Sequence, residues 1–144
     1  MENLRFALDV EDGWPPVATE GVWCSVEDDI FQLQNAPFFI KGLAWGDRFR
    51  AVPDSVNGCI FDFELVEPSG HSLAWVLKSA GSDFSSHQAK LQELGCRVEG
   101  FPAFNLWSID VPPAAAEADV DNLLAEIEAQ GFAVAVPVWR YGAP

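Results

Sequence analysis

Hydrophobic and polar positions along the chain fall into two textures. Over residues 1–68 the apolar residues come in short alternating runs broken by Gly, Pro, Asn and Asp, with no helical period. This pattern predicts strands at residues 4–10, 21–26, 30–34, 48–52 and 59–66. Asn57-Gly58 carries the strongest hairpin signal, because both residues tolerate positive φ. A small twisted β-sheet or partial barrel is the expected product.

From residue 69 the period changes. Residues 72–79 read as a strand, Ser82-Asp83 as a helix N-cap, and residues 84–94 as a helix with Phe84, Leu91 and Leu94 on one side; Gly95 stops it and residues 96–101 resume extended chain. The same order returns. Residues 104–111 alternate as a strand, Pro112-Pro113 breaks it, residues 114–130 place Val120, Leu123, Leu124 and Ile127 at helical spacing, and Gly131 precedes a strand over 132–139. Gly95 and Gly131 occupy matching places, as expected of glycine in a left-handed C-terminal cap. Two consecutive strand-helix-strand units of this length commonly interleave into a four-stranded antiparallel sheet with both helices on one face. The expected fold is therefore α+β: a β-rich half over residues 1–68, then a ferredoxin-like βαββαβ half over residues 69–144, as separate domains or one continuous core.

Between and beside these elements lies a set of motif-like residues. Asn35-Ala36-Pro37 reads as a turn, with Phe38 and Phe39 entering the core or lining a pocket. Gly46-Asp47 resembles the tight entry to a strand, where the carboxylate satisfies loop amides. Ser69-Gly70-His71-Ser72 marks the junction of the two halves. Taken with Glu20 and Trp23, the order and spacing of these residues resemble a bacterial family described as domain of unknown function 4265. The resemblance covers roughly residues 4–139 and is most specific over 35–71. It implies a compact bacterial cytoplasmic protein and no particular reaction.

His71 is the most tempting chemical group, since histidine suits proton transfer near neutral pH. A hydrolase would use Ser69 or Ser72 as nucleophile, His71 as base and Asp47 to orient it. The nucleophile-elbow pattern is missing, and a histidine pinning the junction is the favoured reading. His87, near Phe84 and Leu91, reads as a partly buried interfacial residue. Neither His stands at metal-ligand spacing from the other, and Cys24, Cys59 and Cys96 form no close-spaced pair. No metal, cofactor or disulfide is expected; the cysteines read as buried free thiols.

Charge is the most informative part of the composition. The chain has 22 acidic residues against 8 Lys and Arg, a net charge of -14, and no basic side chain from 98 to 139. With 49% hydrophobic content, 11 Phe and 6 Trp, it has material for a core, so the acid lies on a folded surface. Direct binding of nucleic acid or anionic membrane is not expected, because both need a basic face. The start of the chain lacks a signal-peptide pattern, and a cytoplasmic location is expected.

The acidic residues expected to meet a partner are Glu117, Asp119, Asp121, Glu126 and Glu128 on the last helix, with Glu27, Asp28 and Asp29 at a loop tip. None of the helix carboxylates has Lys or Arg three or four residues on. Glu126 and Glu128 also lie at the wrong end for the helix dipole. The expected function is that of a non-enzymatic inhibitor or immunity-type protein neutralising a basic partner, a bacterial toxin nuclease foremost. A small-ligand-binding or regulatory module is the alternative, and a hydrolase centred on His71 ranks last.

Overall fold

The computed structural model describes residues 1–78 and 83–142. Two compact units divide the chain, Met1–Ser69 and Gly70–Pro144, and the whole is α+β. Each unit has one antiparallel sheet, of five strands in the first and four in the second.

The first unit is a meander of β1 (Glu2–Ala7), β2 (Thr19–Glu27), β3 (Ile30–Leu33), β4 (Arg48–Ala51) and β5 (Phe63–Glu67), paired in chain order. Alternation sends Leu4 and Phe6, Val22 and Cys24, Leu33 and Phe49 into one core with Ile40, Leu43 and Ile60. Its centre is aromatic: Phe49 lies 5.8 Å from Phe6, 5.7 Å from Phe31 and 6.1 Å from Phe63 between ring centroids. Residues 59–60, expected to open a strand over 59–66, leave the β4 ladder. The Ile60 amide donates to the Arg5 carbonyl and the Ala7 amide to the Ile60 carbonyl, both at 2.8 Å, so the sheet curls back towards β1.

The tight hairpin is not at Asn57-Gly58. Asp54 Oδ1 accepts the amides of Val56 and Asn57 at 2.8 and 3.3 Å, which widens that connection into a side-chain-capped loop. The two-residue hairpin is Asp28-Asp29, with φ of 53° and 63°, between the paired Glu27 and Ile30. Two left-handed residues match the strand twist, and Asp tolerates that region through its short polar side chain.

In the second unit, β6 (Ser72–Leu77), α1 (Ser85–Glu93), β7 (Arg97–Phe101), β8 (Leu106–Val111), α2 (Glu117–Ala129) and β9 (Ala133–Val138) form a sheet of order β7-β8-β6-β9. Ala74 and Val76 of β6 and Ile109 and Val111 of β8 share a core with Leu91 of α1 and Val120, Leu123, Leu124 and Ile127 of α2. Burial of each Val, Leu or Ile among them contributes about 1.5–3 kcal/mol. Gly95 and Gly131 adopt φ of 95° and 98°, and the Gly95 amide closes on the Gln92 carbonyl at 3.0 Å, as the two stop positions require.

Element ends differ from the sequence pattern for identifiable reasons. Ser82 lies outside the described residues, and so does Ser79, the expected end of the first strand of this half. Phe84 stands at the N-cap of α1, while Asp83 Oδ1 accepts the Ser85 amide at 3.0 Å. Residues 102–104, where Pro102 presets φ, form a short 3-10 turn, and Asn105 at φ 51° delays β8 to Leu106. A turn in which the Ala115 amide reaches the Pro112 carbonyl at 3.0 Å delays α2 to Glu117.

Candidate functional site

The motif residues of the first unit converge on backbone amides. Glu20, on β2, accepts the amides of Phe38 and Phe39 at 2.6 and 2.8 Å and of Ile40 at 3.1 Å. Asn35 Oδ1 accepts the Trp23 amide at 2.7 Å. Asp47 is fully buried; its Oδ2 accepts the Ala44 amide at 2.9 Å and its Oδ1 the Ser69 amide at 2.8 Å. Ser69 Oγ donates to the Trp45 carbonyl at 2.6 Å. Gly46 has φ 86°, and a Cβ there would sit 3.0 Å from Ser69 Cβ, so both conformation and space favour glycine. Pro37 and Phe39 are buried, with Phe39 edge-on to Trp14 at 5.9 Å, and Phe38 is half-buried. Together these contacts hold the long connection between β3 and β4.

The second unit contains a carboxylate–imidazole pair that the sequence reading missed. His71 Nδ1 lies 2.7 Å from Asp110 Oδ1, with His71 22% exposed and Asp110 1%. Burial pushes the Asp110 carboxyl above the usual carboxylate range, while the hydrogen bond and charge of His71, and Arg97 opposite it in register, pull the other way. Oδ2 of Asp110 has no hydrogen-bond partner among the described residues. Which of the two groups donates in this contact depends on the tautomer of the His71 ring. The carboxylate found at His71 is Asp110, where the hydrolase expectation named Asp47, and Ser72 Oγ accepts the Arg140 amide at 2.8 Å. The signal for Asp110 was a lone carboxylate inside the apolar run Leu106–Val111.

His87 is buried, not merely half-covered; it lies between Phe84 and Phe132 at 5.9 and 5.6 Å, with Nε2 3.2 Å from Gln130 Oε1. Its Nδ1 has no partner among the described residues. All three cysteines are buried and free; burial pushes Cys24 up to about 12 and Cys96 to about 11, which leaves these two as inert thiols near neutral pH. Among the described residues no group of three or more His, Cys, Asp or Glu is placed to hold a metal ion, and no helix is long and apolar enough to cross a membrane.

Glu117, Asp119, Asp121, Glu126 and Glu128 are all exposed on α2, the first two in its first turn. Glu126 differs from the sequence reading: Lys90 Nζ of α1 lies 3.4 Å from its Oε1, a pairing between helices that no spacing along one helix reveals. Glu27, Asp28 and Asp29 are exposed at the β2–β3 hairpin, beside a hollow of about 330 Å³ lined by Ser25, Glu27, Ile30, Gln32 and Arg48. The structure leaves these acids as two groups, one on each unit.

Fold and site together define a two-unit α+β protein whose marked polar residues chiefly anchor backbone. The chain belongs to the family described as Domain of unknown function (DUF4265), matched over residues 20–135, a span that includes Glu20, Asn35, Asp47, His71 and Asp110. It is also similar in fold to a hypothetical protein from Neisseria gonorrhoeae solved by crystallography, with a TM-score of 0.77, 17% identity and 99% of each chain covered. No curated protein matches the chain.

Proposed function

We propose that the protein is an acidic, non-enzymatic binding module of the inhibitor or immunity type, which captures and neutralises a basic partner protein in the cytoplasm, a toxin nuclease being the leading class. The observation that carries this reading is the solvent face of α2. Five carboxylates are exposed there, and Lys90 on Glu126 is the one ion pair on that face among the described residues. Unpaired like charges on one helix work against folding, by a few tenths of a kcal/mol for each i,i+4 pair. Their field raises the encounter rate with a cationic surface and weakens as salt rises.

The test is co-expression with the product of the adjacent reading frame, followed by co-purification and a growth-rescue assay. A basic, toxic product that co-purifies, with an association rate falling steeply with salt and with joint Glu117→Lys, Asp121→Lys and Glu128→Lys, is the expected result. Association indifferent to salt and to these reversals would overturn the electrostatic reading.

A further inference from the structure

We propose that the contact surface for this basic partner is a groove on the first unit, between the end of β4 and the start of β5, which takes one extended segment carrying a large apolar residue flanked by Lys or Arg. The inference rests on the basic-partner reading and assigns it a place. The groove has a volume of about 560 Å³ and is walled by residues 50–52, 54 and 61–64. Its walls part for a structural reason. Ala51 still pairs with Phe63, but Ile60 gives its amide and carbonyl to β1, so the two arms separate before the Asp54 amide meets the Cys59 carbonyl at 2.8 Å.

Two features identify the occupant. The first is apolar surface left in water: Phe61 is 59% exposed and Val52 86%, beside the half-buried Ala51 and Phe63. A side chain such as Phe at a groove edge is the kind of anchor that dominates protein contacts. The second is charge. Asp54, Asp62 and Glu64 line the groove against the single cation Arg50, which already lies 4.0 Å from Glu64. An apolar segment flanked by cations satisfies both features. A second copy of this chain does not, because each copy carries a net charge of -14. Since β5 ends the sheet, an extended segment can also lie beside it without displacing a strand.

The test titrates the isotopically labelled full-length protein with a capped Lys-Phe-Arg-Leu-Lys peptide, and with matched peptides bearing Glu for the cations or Ala for the apolar residues. Amide shifts are expected at residues 50–52, 54 and 61–64, with binding weakened about tenfold by Phe61→Ala and by joint Asp62→Lys and Glu64→Lys. These side chains are exposed, so melting temperatures should stay near the parent's. Reversal of Glu117, Asp121 and Glu128 should leave the shift map in place. Shifts on α2, unchanged affinity for Phe61→Ala, or equal binding of the Ala peptide would overturn the groove while leaving the basic-partner reading standing. A parent peptide that binds nowhere would overturn both. Self-association abolished by Phe61→Ala would assign the groove to a second copy and overturn the proposal.

Discussion

Asp47 in the first unit and Asp110 in the second are the same residue at the same depth, 0% and 1% exposed, and they are held in opposite ways. Asp47 receives a backbone amide on each oxygen. Asp110 has His71 on one oxygen and no partner on the other among the described residues. Burial alone therefore says little about what a carboxylate does. One surrounded by amides is a fastener whose loss leaves buried donors unsatisfied, whereas one holding an imidazole is a strained charge whose loss removes a desolvation cost.

The largest test of that contrast is Asp47→Ala. One buried amide, of Ala44, and one part-buried amide, of Ser69, lose their acceptor at about 1–3 kcal/mol each, so a destabilisation of about 4 kcal/mol is expected in chemical denaturation. Asp110→Asn, which keeps shape and removes charge, should change stability by less than about 1 kcal/mol at neutral pH. Equal losses for both would mean that the two carboxylates are held alike. Glu20→Ala comes next, at about 3 kcal/mol, because three amides lose one carboxylate in a place water partly reaches. Its signature should be faster hydrogen exchange at residues 38–40, with β6 to β9 protected as before.

The contrast between Asp47 and Asp110 also marks how far the chain could be read in advance. Helices and strands of the second unit were legible because period changes, Gly95 and Gly131 are local signals. So was the amide-binding role expected of Asp47, since an acid after glycine at a strand entry has few other uses. Asp110 was hidden: its partner is 39 residues away, and within β8 it occupies an alternate position indistinguishable in pattern from Ser108. Glu20 was legible as part of a motif, but not as the acceptor for amides 18 to 20 residues on. Asn57-Gly58 misled because its local hairpin preference lost to Asp54 capping the loop and to Ile60 pairing with β1.

Asp110 gives a smaller effect that depends on pH. Its folded-state pKa lies above the ordinary value, so the folded chain holds the proton more firmly than the unfolded chain. The stabilisation is fully present below the ordinary carboxylate value and is lost as pH rises through the raised value. Asp110→Asn should flatten that part of the stability curve, measured by urea denaturation at a series of pH values. Asp47→Asn should leave this downward slope in place; if it flattens the curve instead, the assignment of strain to Asp110 fails. At the β2–β3 hairpin, Asp28→Asn with Asp29→Gly should stabilise by about 0.5–1 kcal/mol, because the same left-handed turn then costs less.

The smallest expected effect separates the exposed carboxylates from both buried ones. Lys90 and Glu126 meet at 3.4 Å with about half of each side chain in solvent, 52% and 48%. An ion pair so placed contributes at most about 0.5 kcal/mol, and salt screens it further. Lys90→Ala should therefore leave denaturation almost unchanged. Its consequence lies elsewhere: Lys90 is the cation that tempers the α2 face, so removing it makes that face more negative and should quicken association with the cationic peptide at low salt, with the gain vanishing at high salt. A large loss of stability instead would mean that the helix carboxylates are fasteners of the Asp47 kind. In that case the acid face of α2 would belong to the architecture of the second unit and not to its dealings with a partner.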